Sequence, residues 1–167
     1  NELQMGDPNA PVQITVACNP YCGPCAIAHK KLNELLEKNI NKLGISIRFG
    51  INTIKKEELR TMAVQLILQN HLQNSNPTLA LSDWFEWMNE EKWKEKYKPD
   101  ETIDVKDLLQ QHADWAKNAN IAYTPTFFIN DRQLPGQYRI EDVGILLPQL
   151  TAILQQEKVL VTQFKNW

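Results

Sequence analysis

No cysteine lies beyond residue 25: the three present, Cys18, Cys22 and Cys25, fall within eight positions. They cannot tie distant segments together, so a disulfide framework is excluded and the sulfurs form a site. Charge of one sign is missing too. Eighteen basic against twenty acidic residues give a net charge of -2, without the broad basic field that attracts phosphates, so nucleic acid is not an expected partner. Long apolar runs are absent: stretches such as Ile14–Cys18 and Val143–Leu147 fall far short of the roughly 20 residues a membrane-spanning helix requires. No membrane span is expected in this chain. The chain opens on Asn1 without an initiator Met or a basic-then-apolar leader, which fits a removed leader or a piece of a longer protein.

What remains is ordinary globular composition, 43% hydrophobic and 23% charged. A chain of 167 residues fits one domain, and at this length folding buries roughly two-thirds of the unfolded surface without needing a disulfide staple.

Asp7–Pro11 reads as an irregular lead-in. Val12, Ile14 and Val16 then alternate with Gln13 and Thr15, the period-2 signature of a strand that ends at the cysteines. From Pro24 the period turns helical, with Ile27, Lys31 and Leu35 on one line and Leu32, Leu35 and Leu36 in an apolar stripe, and Gly44 is a candidate helix stop. Ile45, Ile47, Phe49 and Ile51 alternate through a second strand. The resulting βαβ unit, with a right-handed crossover, places two parallel strands in one sheet and the cysteines at the carboxyl end of the first.

The middle of the chain, about 54–120, is predicted helical almost throughout. Its stripes are Leu59, Met62, Ala63, Leu66 and Ile67; Leu81, Trp84, Phe85 and Met88; and Val105, Leu108, Leu109 and His112, with turns at Asn74–Pro77 and Lys98–Asp100. Thr126–Ile129 returns to strand, and Asn130-Asp131 marks a hairpin into Gln133 and Leu134. A last helix carries Ile140, Val143, Leu146, Leu147 and Leu150, with Pro148 expected to kink it or to start a new turn.

Two thiols three residues apart at a helix start have a clear chemical use. Cys22 would meet the unpaired N–H groups and the positive end of the helix, which lower a thiol from about 8.5 to roughly 3.5–7.5 in such settings. Cys22 is thus expected to be the attacking sulfur and Cys25, one turn on, the resolving one, with Pro24 fixing the helix start. An inert buried pair or a half-built metal site is the bland alternative, which the flanking strand and helix disfavour. Cys18, Cys22 and Cys25 also spell C-x3-C-x2-C, the spacing that holds an iron–sulfur cluster in radical S-adenosylmethionine enzymes. Those enzymes repeat βα units, whereas here one βαβ unit precedes a long helical run. A structural zinc would need a fourth ligand, for which His29 is the one nearby candidate. Cys18 is read as a small buried hydrophobe at the strand end, or alternatively as a regulatory thiol.

Tyr21-Cys22-Gly23-Pro24-Cys25 resembles the active-site motif of thioredoxins, and Tyr123-Thr124-Pro125-Thr126-Phe127-Phe128-Ile129-Asn130 resembles the cis-proline segment of the same superfamily. The long interval between the motifs, and the Gly6-Asp7-Pro8-Asn9-Ala10-Pro11 opening, are similar to bacterial periplasmic oxidoreductases of the DsbA type. The resemblance implies an α/β thioredoxin-like core (about 11–53 and 121–156) with a helical insertion at about 54–120, between the βαβ half and the cis-Pro hairpin half, in a single domain. It implies a thiol-disulfide oxidoreductase that needs no cofactor and no metal. Pro125 would be cis beside Cys22 and Cys25, and the Thr124 backbone would pair with an extended substrate, with Tyr21, Gly23 and Pro24 supporting the site. The implied partners are protein substrates with thiols or disulfides and a redox partner, possibly membrane-bound, that recycles the dithiol. A redox-relay module of a larger oxidoreductase is the alternative.

The two cues oppose each other on direction. Gly-Pro between the cysteines resembles the reducing thioredoxins and the insertion resembles the oxidising periplasmic group. A reductase or isomerase role outside the cytoplasm is the expectation, with the cytoplasm as alternative. Superfamily members commonly carry a buried acid six residues before the first cysteine; here that position is Val16, leaving water, Lys30 or Glu34 to handle protons. Trp84, Phe85, Trp87 and Trp93 are assigned to core packing rather than to a client groove, His112 to the core, and the alternating charges of 90–96 to a solvated helix face.

Overall fold

The computed structural model describes residues 3–51 and 58–166. Five strands form one sheet in the order β1-β3-β2-β4-β5. β2 (Val12–Cys18) and β3 (Leu43–Phe49) run parallel with Ile14 beside Ile45 and Cys18 beside Phe49, joined by α1 (Gly23–Lys38). This is the expected βαβ unit, and its inward residues Val12, Ile14, Val16, Ile45 and Ile47 are fully buried. β4 (Thr126–Ile129) lies antiparallel to β2 on its other side, with Thr126 beside Ala17, which brings Pro125 level with Cys18.

The hairpin from β4 to β5 (Arg132–Gln133) turns on Asn130 and Asp131, both at positive φ (45° and 68°), the pattern of a two-residue type I′ turn. Asn130 fixes this hairpin to β2: its Oδ1 accepts from the Gln13 N–H and its Nδ2 donates to the Pro11 carbonyl, both at 2.9 Å.

β1 (Leu3–Gly6), which the alternation did not reveal, pairs antiparallel with β3, so the sheet begins ahead of residue 11. Gly44 is not a helix stop. It sits inside β3 opposite Gly6, where the Gln13 amide and the Asp7 carbonyl approach so closely that a Cβ would meet them at 2.1 and 2.5 Å. α1 ends earlier, at Asn39, whose side chain donates to the Leu35 carbonyl at 2.8 Å.

The buried face of α1 is Cys25, Ala28, His29, Leu32 and Leu35, whereas Ile27 is 61% exposed and Lys31 pairs with Glu141. The expected line is therefore rotated, because α3 and α6 pack on α1 and choose the covered face. The insertion supplies α2 (Glu58–Gln73), α3 (Thr78–Trp87), α4 (Glu90–Tyr97) and α5 (Lys106–Asn118). Its expected start at 54 lies outside the described residues. Leu59 and Met62 are exposed, while Ala63, Val64, Leu66, Ile67 and Leu68 are buried.

α6 (Ile140–Lys165) runs unbroken through Pro148 and past residue 156. The missing Pro148 N–H leaves the Gly144 carbonyl without its intrahelical donor, and the helix continues nonetheless.

Candidate active site

β2 delivers the chain to the carboxyl edge of the sheet, and Asn19-Pro20 turns it. The Asn19 Oδ1 accepts from the Tyr21 N–H at 2.9 Å and its carbonyl from the Cys22 N–H at 3.2 Å, so the turn is internally closed. Cys22 is then the N-cap of α1, with extended backbone (φ -101°, ψ 117°) and Pro24 in the first turn. Its Sγ accepts from the Cys25 N–H at 3.3 Å, which satisfies one of the unpaired amides of the helix start.

The Thr124–Pro125 peptide bond is cis. Thr124 faces the first cysteine: the Cys22 thiol donates to the Thr124 carbonyl at 3.7 Å, and the Thr124 hydroxyl lies 3.8 Å from Cys22 Sγ. Cys22 is half-buried, Cys25 and Cys18 are buried, and all three are free thiols. Tyr21, Gly23 and Pro24 are exposed around them, and Tyr21 meets Trp84 edge to face at 5.7 Å. A cleft of about 700 Å³ opens beside the site, lined in part by Asn19, Gly50, Ile51, Lys117, Tyr123 and Thr124.

The electrostatics differ from the sequence expectation. Cys22 does meet the Cys25 amide, but burial and the neighbouring Cys25 side chain push its thiol up rather than down. The low thiol is Cys25, brought to about 6 chiefly by the hydrogen bond from Cys18, with Cys22, the Asn19 N–H (3.5 Å) and Thr124 adding to it against burial. Donors converge on Cys25 because β2 ends directly behind it. The two thiols titrate as a coupled pair, and the donors around Cys25 favour the charged form on its side.

Lys30 and Glu34, the candidates for moving protons, are exposed on α1 and make none of the contacts at either sulfur. His29, the possible fourth zinc ligand, is buried with its ring on Phe85 at 4.9 Å and its Nε2 3.5 Å from the Ser82 hydroxyl. Among the described residues no three of His, Cys, Asp or Glu, the three cysteines included, are disposed to hold a metal ion.

Asn19 escaped the sequence reading, which placed Cys18 and Trp84 in the core without their contacts to the site. Asn19 shapes the loop, and the Asn-Pro dipeptide is a turn signal that could have marked it. Cys18 reaches the reactive pair, for which the short spacing was the hint. Trp84 holds the Pro20 carbonyl through its indole N–H at 2.8 Å, a contact between residues far apart in the chain that no local pattern announces.

Comparison with known proteins follows the same lines. No curated protein shows significant sequence similarity to the chain. Among solved structures it is similar to ScsC of Proteus mirabilis in a transitional conformation (18% identity, TM-score 0.74, 89% of this chain and 72% of that one). A periplasmic thioredoxin-like protein of Salmonella enterica serovar Typhimurium matches with 16% identity and TM-score 0.71, over 89% of both chains. DsbA of Chlamydia trachomatis matches with 15% identity and TM-score 0.65, over 91% of this chain and 92% of that one. At such identities the likeness is one of fold: thioredoxin-like, of the DsbA type. A family model described as Thioredoxin (Thioredoxin_4) matches residues 1–148, and with most of its length covered the chain belongs to that thioredoxin family.

Proposed function

We propose that the chain is a protein thiol-disulfide oxidoreductase in which Cys22 exchanges with client sulfurs and Cys25 resolves the mixed disulfide. The asymmetry of the pair carries this reading. Cys22 Sγ is half-buried beside the cleft and bonded to the Thr124 backbone, while Cys25 is fully enclosed behind it, so only one sulfur can be reached by a client.

In the reducing direction the Cys22 proton passes to the Cys25 thiolate, and the Cys22 thiolate attacks one sulfur of a client disulfide. A Cys22–client bond forms, and the other client sulfur leaves as thiolate. Cys25 then returns its proton to water and attacks Cys22 Sγ, releasing the second client thiolate. The chain is left with a Cys22–Cys25 disulfide, and two electrons have gone to the client. Run backwards, the same steps oxidise a client dithiol.

The cycle needs no cofactor, and a redox partner must reset the pair. An extended client segment laid along the Thr124 backbone would be held by main-chain hydrogen bonds, with little demand on its sequence. The reading places the exchange outside the cytoplasm, in the periplasm or cell envelope, where disulfides persist.

Titration of the chain in glutathione buffers, followed by the mass of trapped thiols, tests the proposal. A reversible two-electron step is expected, abolished in Cys22→Ser and Cys25→Ser, with Cys25→Ser accumulating a glutathione adduct at Cys22. A step that survives Cys22→Ser, or no step in the unaltered chain, overturns it.

A further inference from the structure

α6 carries a pattern that neither the core nor the dithiol uses. Leu146, Leu150, Ile153, Glu157, Leu160 and Phe164 follow one another at alternating intervals of four and three residues, the heptad spacing of a helix seam. The core takes the adjacent face of the helix, on which Ile140, Val143 and Leu147 are buried. The seam is left in the open: Ile153 is 54% exposed, Leu160 47% and Phe164 77%.

The helix also outruns the body that supports it. From Lys158 to Asn166 every residue is exposed, yet α6 continues to Lys165. Val159, Val161 and Thr162 are weak helix formers, and an isolated helix of this length is marginal in water unless something packs on its apolar side. The spacing points to another helix rather than a flat surface, because knobs set at alternating threes and fours need holes of the same period.

Read in reverse, the seam matches itself. In an antiparallel two-fold pair, Leu146 of one copy meets Phe164 of the other, Leu150 meets Leu160, and Ile153 meets Glu157, so each seam position finds an opposite. A parallel pair instead sets Glu157 against Glu157, two like charges in one layer. In the antiparallel pair the Glu157 carboxylate stays at the rim beside Arg132 of its own hairpin, 3.7 Å away. The seam is about 27 Å long at the rise of an α-helix. Burying it on a copy of itself removes on the order of 1,200 Å² from water, the size at which specific interfaces begin.

Going beyond the oxidoreductase reading, we propose that this stripe of α6 is a homodimer interface, occupied by the same stripe of a second copy running antiparallel. Each overhanging end then lies along the supported half of the other copy's α6. The dithiol stays open, because the overhang borders the β4–β5 hairpin, where Ile129 and Arg132 line a cleft with Leu154, Glu157 and Val161, and that is the end of β4 opposite Pro125.

Sedimentation equilibrium of the full chain over about 2–200 µM tests this, in dithiothreitol so that no disulfide can link two copies. The mass should rise from that of one chain toward that of two. Leu160→Asp should weaken the pair at least about a hundredfold, since each dimer must desolvate two new carboxylates, while exchange of Cys22 with oxidised glutathione is unchanged. Ile153→Lys and Ile153→Glu read the direction of pairing. Ile153→Lys puts an ammonium opposite Glu157 of the other copy and keeps the pair, which then weakens with salt, whereas Ile153→Glu splits it.

A chain that stays single at every concentration overturns the proposal. One that does so but pellets with vesicles of phosphatidylcholine and phosphatidylglycerol assigns the stripe to lipid instead. A dimer that survives Leu160→Asp pairs through another face, and splitting of Ile153→Lys as complete as that of Ile153→Glu rules out the antiparallel arrangement; either result overturns the proposal. Both positions are exposed in the single copy, so circular dichroism should show each variant folded. The glutathione exchange is read separately, so failure of the dithiol chemistry and failure of the pair are distinguished.

Discussion

The indole of Trp84 donates to the Pro20 carbonyl at 2.8 Å, so a helix of the insertion grips the loop that presents the dithiol. Trp84 is fully buried and meets Trp93 edge to face at 5.5 Å; Trp93 donates to the Ala80 carbonyl at 2.8 Å and stacks on Tyr97 at 4.8 Å. The Tyr97 hydroxyl and Lys96 both reach the Asp83 carboxylate. The insertion is thus a braced block, and its brace ends on the residue two before Cys22.

Trp84→Phe should separate loop positioning from stability. It leaves a buried carbonyl without its donor, at about 1–3 kcal/mol, and removes ring volume besides. Trp93→Phe removes a comparable bond wholly inside the insertion. Both variants should lower the denaturant midpoint, but only Trp84→Phe should also slow the reaction of Cys22 with oxidised glutathione. Equal exchange rates in the two would show that the grip on Pro20 does not matter to the dithiol.

The acidity of Cys25 sets a pH dependence that only the reduced chain can have. Between about pH 6 and 9 the folded chain has lost this proton while the unfolded chain still holds it. Stability rises with pH wherever the unfolded state binds more protons, so the reduced chain should gain stability through this window. Above it, Cys18 and Cys22, whose thiols are raised in the fold, turn the trend downward. Urea midpoints of the reduced chain and of Cys25→Ser across this range check the prediction, which fails if the rise persists in the variant.

How much of this was legible in the sequence depended on how local the cause was. β2, β4 and the hairpin between β4 and β5 are written in alternation and in Asn130-Asp131, and each turned up where it was expected. β1 is only four residues long, and its partner β3 lies far along the chain, so no window could reveal it. Gly44 carried a helix-stop signal, but its real constraint is the close approach of Gln13 and Asp7. The covered face of α1 was set by α3 and α6, which is why Ile27 points to solvent and His29 does not. The same holds at the site: the motif named Cys22 and Cys25, whereas the grip on the Pro20 carbonyl comes from Trp84, which tertiary packing brings up.

Accessibility gives a direct chemical check on the pair. In the native reduced chain a small alkylating reagent such as iodoacetamide should add once, at Cys22, and at a modest rate, because the thiol that is exposed is the one pushed up. Cys25 and Cys18, both buried, should react only after unfolding in denaturant. Peptide mapping of the adducts decides: modification of Cys25 ahead of Cys22 would mean that the pair is oriented the other way to clients.

His112 offers the clearest acid-side test. It is buried on α5, its ring lies 5.9 Å from Phe49, and its Nδ1 accepts from the Phe49 N–H at 2.9 Å, which ties the helix to the end of β3. Burial, with Arg48 nearby adding repulsion, lowers its pKa to about 4. The folded neutral form is thus favoured, and the unfolded chain binds the proton first as pH falls from about 6.5 toward 4, so stability is lost through that window. At pH 5 the loss from this one group comes to roughly 2 kcal/mol. Protonation would also remove the acceptor and leave the Phe49 amide unpaired. His112→Asn keeps a short acceptor that does not titrate. It should start slightly less stable at pH 7 and lose less between pH 7 and 5, the remaining slope being due in part to His29, which burial likewise brings to about 4. Urea midpoints at the two pH values give the comparison, and an undiminished slope in His112→Asn would place the acid sensitivity elsewhere.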